Sequence, residues 1–183
     1  TAISLNVDNA ILLNGVKVDL LAAGCFGVGN GKIGCNDMGQ PWRYDPMFAE
    51  NGFSVDTHNA HAQPDGTYHY HVSPLALLTS NDTQASPVMG FAADGFPIYG
   101  TKFKQEGVIK AATSSYRLKA GERPSGTNKP GGSYDGAFRD DYEYVEGLGD
   151  LDECNGMTKN GSYAYYITPN YPYVLSCFSG TPD

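Results

Sequence analysis

The chain of 183 residues has few basic side chains and no long apolar run. It contains 12 Lys and Arg against 20 Asp and Glu, which gives a formal net charge of −8. A surface of this sign repels phosphate groups, so we expect neither nucleic acid nor an anionic membrane surface as a main partner. No apolar stretch approaches the roughly 20 residues that a membrane helix needs, so we also expect no membrane insertion.

Several catalytic and metal-binding signatures are missing as well. The sequence has no H-E-x-x-H, G-x-S-x-G or Walker A motif, which argues against the zinc proteases, serine hydrolases and nucleotide-binding proteins that carry them. Its four cysteines do not stand at the C-x2-C spacing of a structural zinc site. Chemistry in this chain has to come from other residues.

The cysteines form two local pairs, Cys25 with Cys35 and Cys154 with Cys177. Closing each pair as a disulfide would staple a Gly-rich loop, which loses much entropy when it becomes ordered. The alternative is four reduced cysteines in a cytosolic core. The low lysine content resembles that of exported domains, and the chain begins at Thr1 without Met, as a processed protein would. We predict two disulfides and a secreted or periplasmic location.

The abundance of Gly (23), Tyr (13) and Pro (11) favours strands joined by turns and ordered loops. Apolar runs flank Asn14-Gly15 and Asp94-Gly95, two dipeptides typical of β-hairpin turns. The length suits one domain with its own core. We predict a mainly β protein, folded as a single compact domain over residues 1–183, with long ordered loops and at most short helices.

A weak internal repeat relates residues 56–74 to residues 152–169. Within it, GTYHYHVSP, which begins at Gly66, matches GSYAYYITP, which begins at Gly161. Both copies keep the pattern Gly-x-Tyr-x-Tyr, so we interpret the tyrosines as parts of a strand that the chain uses twice. Only the first copy carries two histidines, where the second has Ala and Tyr. The strand itself therefore does not require imidazole.

All histidines of the chain fall within fourteen positions, namely His58, His61, His69 and His71. Residues two apart in a strand share a face, so His69 and His71 should project side by side, with Tyr68 and Tyr70 facing the other way. The turn signal QPDG, at residues 63–66, can fold the other two histidines back against this strand. The pattern H-x2-H-x7-H-x-H therefore predicts one metal site.

Copper and zinc are the expected ions, since imidazole suits both and no Met or free Cys stands nearby. Asp56, Tyr68 and Tyr70 are the candidate outer partners of the histidines, and Asp56 is also a candidate ligand. Eight carboxylates between residues 135 and 153 are interpreted as a solvated face. A calcium site is the alternative there, although the spacing is not that of an EF-hand.

Three stretches carry a resemblance to a known family: DGTYHYHV, GFAADGFPIYG, and LDECNGM together with YPYVLSCFSGTP. On these motifs, which occur in the family's order, the chain resembles the YHYH-domain family from about Gly24 to Pro182. The resemblance implies a secreted or periplasmic protein with a histidine-centred site, and it names no reaction. Many members carry a further histidine in a late strand. Here that position is Ala164, which leaves the first cluster as the candidate site.

Three functions fit this sequence. The first is an exported protein that captures, stores or delivers copper or zinc through the four histidines. The second is a metal-dependent extracellular enzyme, a hydrolase or oxidoreductase acting on a polysaccharide or ester, with Asp56 or Asp94 as general base and tyrosines that bind carbohydrate. The third is a structural or adhesive module in which the histidines hold a loop.

Overall fold

The structure, a computed structural model, describes residues 1–63, 65–78 and 83–182. In these residues the chain is built from short β-strands and turns, and no α-helix is present. The helical elements are three single turns of 3-10 helix, at Ala49–Asn51, Leu75–Leu77 and Arg139–Asp141. The mainly β fold predicted from composition is confirmed. No helix of the described chain is long and apolar enough to cross a membrane.

Fourteen strands are present in the described part of the chain. In chain order they are β1 (Ala10–Leu12), β2 (Lys17–Val18), β3 (Ala60–Ala62), β4 (Tyr68–Tyr70), β5 (Val88–Ala92), β6 (Pro97–Tyr99), β7 (Lys102–Gln105), β8 (Val108–Ala111), β9 (Tyr116–Leu118), β10 (Ser125–Gly126), β11 (Lys129–Pro130), β12 (Tyr142–Tyr144), β13 (Gly156–Lys159) and β14 (Ser162–Tyr166). Eight form one sheet in the order β13-β14-β6-β5-β1-β2-β4-β3, and the other six form two-stranded ribbons.

The large sheet consists of two matching halves that meet between β1 and β5. In each half a first hairpin, β1–β2 or β5–β6, is extended by a second hairpin, β3–β4 or β13–β14. The two hairpins of a half join through a parallel pair, β2 with β4 or β6 with β14. Ile11 and Phe91 face each other at the junction. A pseudo-two-fold axis therefore passes between these two residues.

Both hairpins predicted from Asn-Gly and Asp-Gly are confirmed. Gly15 and Gly95 occupy the turns with φ angles of 81° and 82°, a backbone conformation that favours glycine because any Cβ atom strains it. The two turns stand at equivalent places in the two halves of the sheet. Local turn chemistry therefore fixes the first hairpin of each half.

The two faces of the sheet are covered by different material. One face carries the main core, whose innermost side chains include Val18, Ile98, Tyr165, Val174 and Phe178. Side chains alternate along a strand, so the strand neighbours of Val18, Ile98 and Tyr165 point to the opposite face of the sheet. On this opposite face, a small apolar cluster covers the β13–β14 end of the sheet, and the histidines lie at the β3–β4 end.

Both predicted disulfides are present. Cys25 bonds to Cys35 and closes a loop, and Cys154 bonds to Cys177, which ties the turn before β13 to the C-terminal segment. Disulfides that close loops of this length typically contribute about 2–4 kcal/mol to stability. No free cysteine occurs in the described chain.

Gly90 lies where β5 passes closest to β1. A Cβ atom at this position would lie 2.4 Å from the carbonyl oxygen of Ile11 and 2.7 Å from Cα of Leu12. We expect Gly90→Ala to lower the free energy of unfolding by about 1–3 kcal/mol, because backbone atoms must shift in the central strand pair. Urea unfolding measures the loss. Phe91→Tyr, on the exposed face, is the control and should stay within about 0.5 kcal/mol of the wild type. Equal stability of the two variants would contradict the close approach.

Candidate metal centre

The β3–β4 hairpin places His61 directly opposite His69. His71 directly follows β4 and, two positions after His69, points to the same face of the sheet. All three side chains therefore leave the sheet on the side away from the main core. His69 and His71 are buried, with 2% and 6% of their surfaces exposed, and His61 is half-buried on the edge strand.

The Nε2 atoms of the three rings lie close together, with that of His71 next to the other two. Nε2 of His71 lies 3.1 Å from Nε2 of His69 and 3.1 Å from Nε2 of His61. The ring planes are nearly perpendicular to one another, with interplanar angles of 75°, 81° and 82°. Among the residues that the structure describes, this is the one group of three or more His, Cys, Asp or Glu side chains whose ligand atoms all lie within 4.8 Å.

Backbone carbonyls fix the position of the hydrogen on two of the rings. Nδ1 of His61 lies 2.9 Å from the carbonyl oxygen of Ser54, and Nδ1 of His71 lies 2.5 Å from that of Asp19. A carbonyl oxygen only accepts, so each Nδ1 carries the hydrogen and donates it. Nε2 of each neutral ring is then left with a free lone pair. These two lone pairs face each other at 3.1 Å.

The third ring, that of His69, has no such outer partner. Its Nδ1 is buried and makes no hydrogen bond. In the metal-free protein, Nε2–H of His69 can donate to Nε2 of His71, and the buried Nδ1 then carries a lone pair rather than an unpaired N–H. Strand position and packing hold this ring, whereas the other two rings are also held by hydrogen bonds.

Burial keeps the inner part of the cluster neutral. Burial, together with the imidazoles of His69 and His61, lowers the pKa of His71 to about 3. Burial is also the main cause of the lowered pKa of His69. Neutral imidazole is the form that binds metal ions. At neutral pH these two rings are therefore uncharged, the form that can bind a metal ion.

A cavity of about 520 Å³ opens beside the three histidines. One of its walls is the loop that the Cys25–Cys35 disulfide closes. The buried guanidinium of Arg43 donates to the carbonyls of Ala22 and Cys35, which fixes the two sides of this loop. The volume falls in the range of roughly 300–1,000 Å³ that is typical of small-molecule sites. The cluster thus has one side closed by the sheet and one side facing an open cavity.

The structure brings three of the four predicted histidines together, and His58 does not join this cluster. It lies exposed in the turn before β3, where its backbone N–H donates to Oδ1 of Asp56. The equivalent turn position in the other half is Cys154, which packs on the main core. Unlike Cys154, His58 is not part of the main core, and it also lies outside the cluster that His61 joins.

The three residues predicted as outer partners of the histidines lie on the opposite face of the sheet from the cluster. Tyr70 is buried in the main core, and Tyr68 donates to Asp56 at 2.5 Å. Asp56 also accepts two backbone N–H groups and closes the turn before β3. No hydrogen bond in the described chain joins these three residues to the cluster. The carbonyls of Ser54 and Asp19, which have no signature in the sequence, hold the rings instead.

Asp94, the other candidate general base, belongs to the opposite half of the sheet. It lies in the β5–β6 turn, where it accepts hydrogen bonds from the hydroxyl of Tyr165 at 2.6 Å and from the N–H of Gly180 at 2.9 Å. Asp94 therefore ties the C-terminal segment to a turn. None of its hydrogen bonds within the described chain involves the histidine cluster.

The carboxylates of residues 135–153 are distributed over separate contacts. Asp135 and Asp141 both bind the buried guanidinium of Arg123. Asp150 accepts hydrogen bonds from the backbone and hydroxyl of one threonine. Calcium binding needs several oxygen ligands gathered around one point. The separate contacts of these carboxylates therefore favour a structural role for the acidic stretch over calcium binding.

Fold and cluster together define a disulfide-bonded β-sheet protein with three histidines converging on one face. The family model described as "YHYH protein" matches residues 1–180. The chain therefore belongs to the YHYH family, in agreement with its sequence motifs. Searches of curated proteins and of solved structures find no match.

The lowered pKa of His71 predicts a pH-dependent stability of the metal-free protein. Below about pH 6.5 the unfolded chain binds a proton at this residue and the folded protein does not, so stability is lost as the pH falls toward about 3. We expect His71→Gln to reduce the loss between pH 6.5 and about 4.5 by about 1–2 kcal/mol. Urea unfolding in the presence of a chelator measures the difference. His58→Gln should keep the wild-type pH dependence, and identical behaviour of the two variants would contradict a buried neutral His71.

Proposed function

We propose that this protein binds one copper or zinc ion through Nε2 of His61, His69 and His71, and that it captures and delivers the ion outside the cytoplasm. The observation that carries the proposal is the pair of facing lone pairs on His61 and His71, 3.1 Å apart. Both Nδ1–H groups are committed to carbonyls, so in the neutral form neither ring has a hydrogen on Nε2 to give to the other. A metal cation at this point converts the repulsion into two bonds.

The spacing of the Nε2 atoms supports a metal ion. Two nitrogens 3.1 Å apart, each about 2.0–2.1 Å from one ion, subtend an angle of about 100°. This angle lies between those of octahedral and tetrahedral coordination, so copper and zinc are both compatible. All four cysteines are in disulfides, so no thiolate of the described chain competes with imidazole for the ion.

The other half of the sheet is an internal comparison that argues against a purely structural role. The positions equivalent to the three histidines are occupied there by Met157, Ala164 and Tyr166. These side chains pack into the small apolar cluster with Phe103 and Leu151. A sheet of this shape therefore folds with apolar side chains at all three positions. Fold stability alone does not account for the imidazoles.

The open side of the cluster supports capture and delivery over permanent storage. Structural metal sites are typically closed by four protein ligands, whereas three histidines leave at least one position free. That position faces the cavity, through which an ion can be exchanged. The two disulfides support an oxidising compartment, as expected for a secreted or periplasmic protein.

Metal uptake tests the proposal. After incubation with zinc or copper and removal of free ion, elemental analysis should find about one ion per chain. We expect His61→Met and His69→Ala, which introduce the residues of the other half, to weaken the affinity more than about 100-fold, because loss of an outer partner alone costs about 10–100-fold. His58→Ala should bind like the wild type.

Absence of uptake by the wild-type protein would overturn the proposal, as would a loss of uptake in His58→Ala with normal uptake in the two ring variants. Circular dichroism of the metal-free variants provides the control for folding. If His69→Ala unfolds without metal, the cluster is structural, and the third function considered above replaces the first.

A second candidate function, metal-dependent hydrolysis, is favoured by the cavity at the open position. Zinc held by three histidines lowers the pKa of a bound water to about 7, so no carboxylate base is required. The hydrogen bonds that commit Asp56 to Tyr68 and Asp94 to Tyr165 are therefore compatible with catalysis.

Hydrolysis of 4-nitrophenyl acetate tests this second candidate. The zinc-loaded protein should show a rate that rises with pH around 7, because only the deprotonated water attacks. His69→Ala at the same total zinc concentration is the control. A wild-type rate no greater than that of His69→Ala would exclude hydrolysis of this ester by the centre.

A further inference from the structure

We propose that the cavity beside the histidine centre binds a small polyol that bears a carboxylate, such as a hexuronic acid, with the carboxylate at the open position of the bound ion. The proposal rests on the proposed metal centre and identifies the class of ligand that the centre takes. Four features of the cavity carry it: the charge around the ion, the free amide side chains of the wall, an aromatic ring and the volume.

The charge around the centre favours an anionic ligand. Three neutral imidazoles leave the +2 charge of copper or zinc uncompensated in a partly buried site, which is costly without a counter-ion. The carboxylate of Asp19 lines the cavity, but it shares Nζ of Lys17, at 2.9 Å, with Asp8 and is not among the side chains whose ligand atoms gather at the cluster. A ligand carboxylate can supply the missing negative charge.

Lys32 adds a second positive charge to the wall of the cavity. Its Nζ donates to the carbonyl of Gly52 at 2.8 Å, and no carboxylate of the described chain pairs with it. An ammonium group has three donors, so further donors remain for a ligand. Lys32 and the ion therefore both attract an anion that enters the cavity.

The polar part of the wall suits hydroxyl groups. Asn6, Asn36 and Gln63 line the cavity, and their side-chain amides make no hydrogen bond within the described chain. Each amide offers both donors and an acceptor, which is the combination that neighbouring sugar hydroxyls require. Phe53 also lines the cavity and is half-buried, so part of its ring can pack against the C–H side of a sugar.

The volume and opening of the cavity suit a monosaccharide. About 520 Å³ is sufficient for a small ligand together with water. Asn6 and Asn36 are exposed, so the cavity is accessible from solvent. A free sugar acid and the uronic acid at the end of a glycan present the same chemistry to this wall.

Calorimetry on the zinc-loaded protein tests the proposal with three probes. Glucuronate carries both the carboxylate and the hydroxyls, acetate carries the carboxylate alone, and glucose carries the hydroxyls alone. We expect glucuronate to bind at least about tenfold more tightly than acetate, since one added hydrogen bond is worth about a factor of ten. Glucose should bind more weakly than either acid. In the copper-loaded protein, both acids should shift the visible absorption band of copper(II), because the carboxylate becomes a ligand.

Two sets of variants separate the contributions. Lys32→Met should weaken the binding of both acids, whereas Lys129→Met, a change of an exposed lysine in β11, should not. Asn36→Ala combined with Gln63→Ala should remove the preference for glucuronate over acetate. Zinc content should stay at the wild-type level in all of them, because none of these residues belongs to the histidine cluster.

A disaccharide that ends in glucuronate distinguishes the two sources of the ligand. Affinity equal to that of free glucuronate would support glycan ends, and lower affinity would support the free sugar acid. Binding of neither acid to a protein with one zinc per chain would overturn this inference and leave the metal centre standing. Equal affinity for glucose and glucuronate would also overturn it. A protein that takes up no zinc would overturn both proposals.

Discussion

The register of the β3–β4 hairpin is the constraint on which the whole site depends. It sets Ala60 opposite Tyr70 and His61 opposite His69, so the alanine and the tyrosine face the core and both imidazoles face outward. A slip by one residue would exchange the two faces and disperse the cluster. The parallel pairing of β2 with β4 completes the arrangement, because it brings the carbonyl of Asp19 to Nδ1 of His71. The two strand pairings thus position the rings and the carbonyl that orients one of them.

The two matching halves of the sheet share one strand arrangement but carry different side chains on their outer face. On the core side both halves contribute to a common apolar interior. On the outer side, one half buries Met157, Ala164 and Tyr166 in an apolar cluster, and the other half gathers the imidazoles beneath the loop closed by Cys25–Cys35. Stability therefore resides in the shared interior, and the histidine end of the outer face is available for chemistry.

Sequence patterns predicted the features that depend on near neighbours. Period-two alternation predicted that His69 and His71 share a face, and turn dipeptides predicted both hairpins. The rest depends on contacts between distant segments. The spacing could not show that His58 stays outside the cluster, nor that Asp94 binds the C-terminal segment. The carbonyl of Ser54 that orients an imidazole is backbone, so no residue type marks it. The cavity forms only when the disulfide loop folds over the sheet.

Anomalous diffraction from crystals of the zinc- or copper-loaded protein tests the three-histidine centre most directly. We expect one anomalous peak per chain, about 2.0–2.1 Å from Nε2 of His61, His69 and His71, with its free side toward the cavity. A peak held by His58 or by the carboxylate of Asp56 would contradict the three-histidine centre, as would loaded crystals without any peak at the cluster.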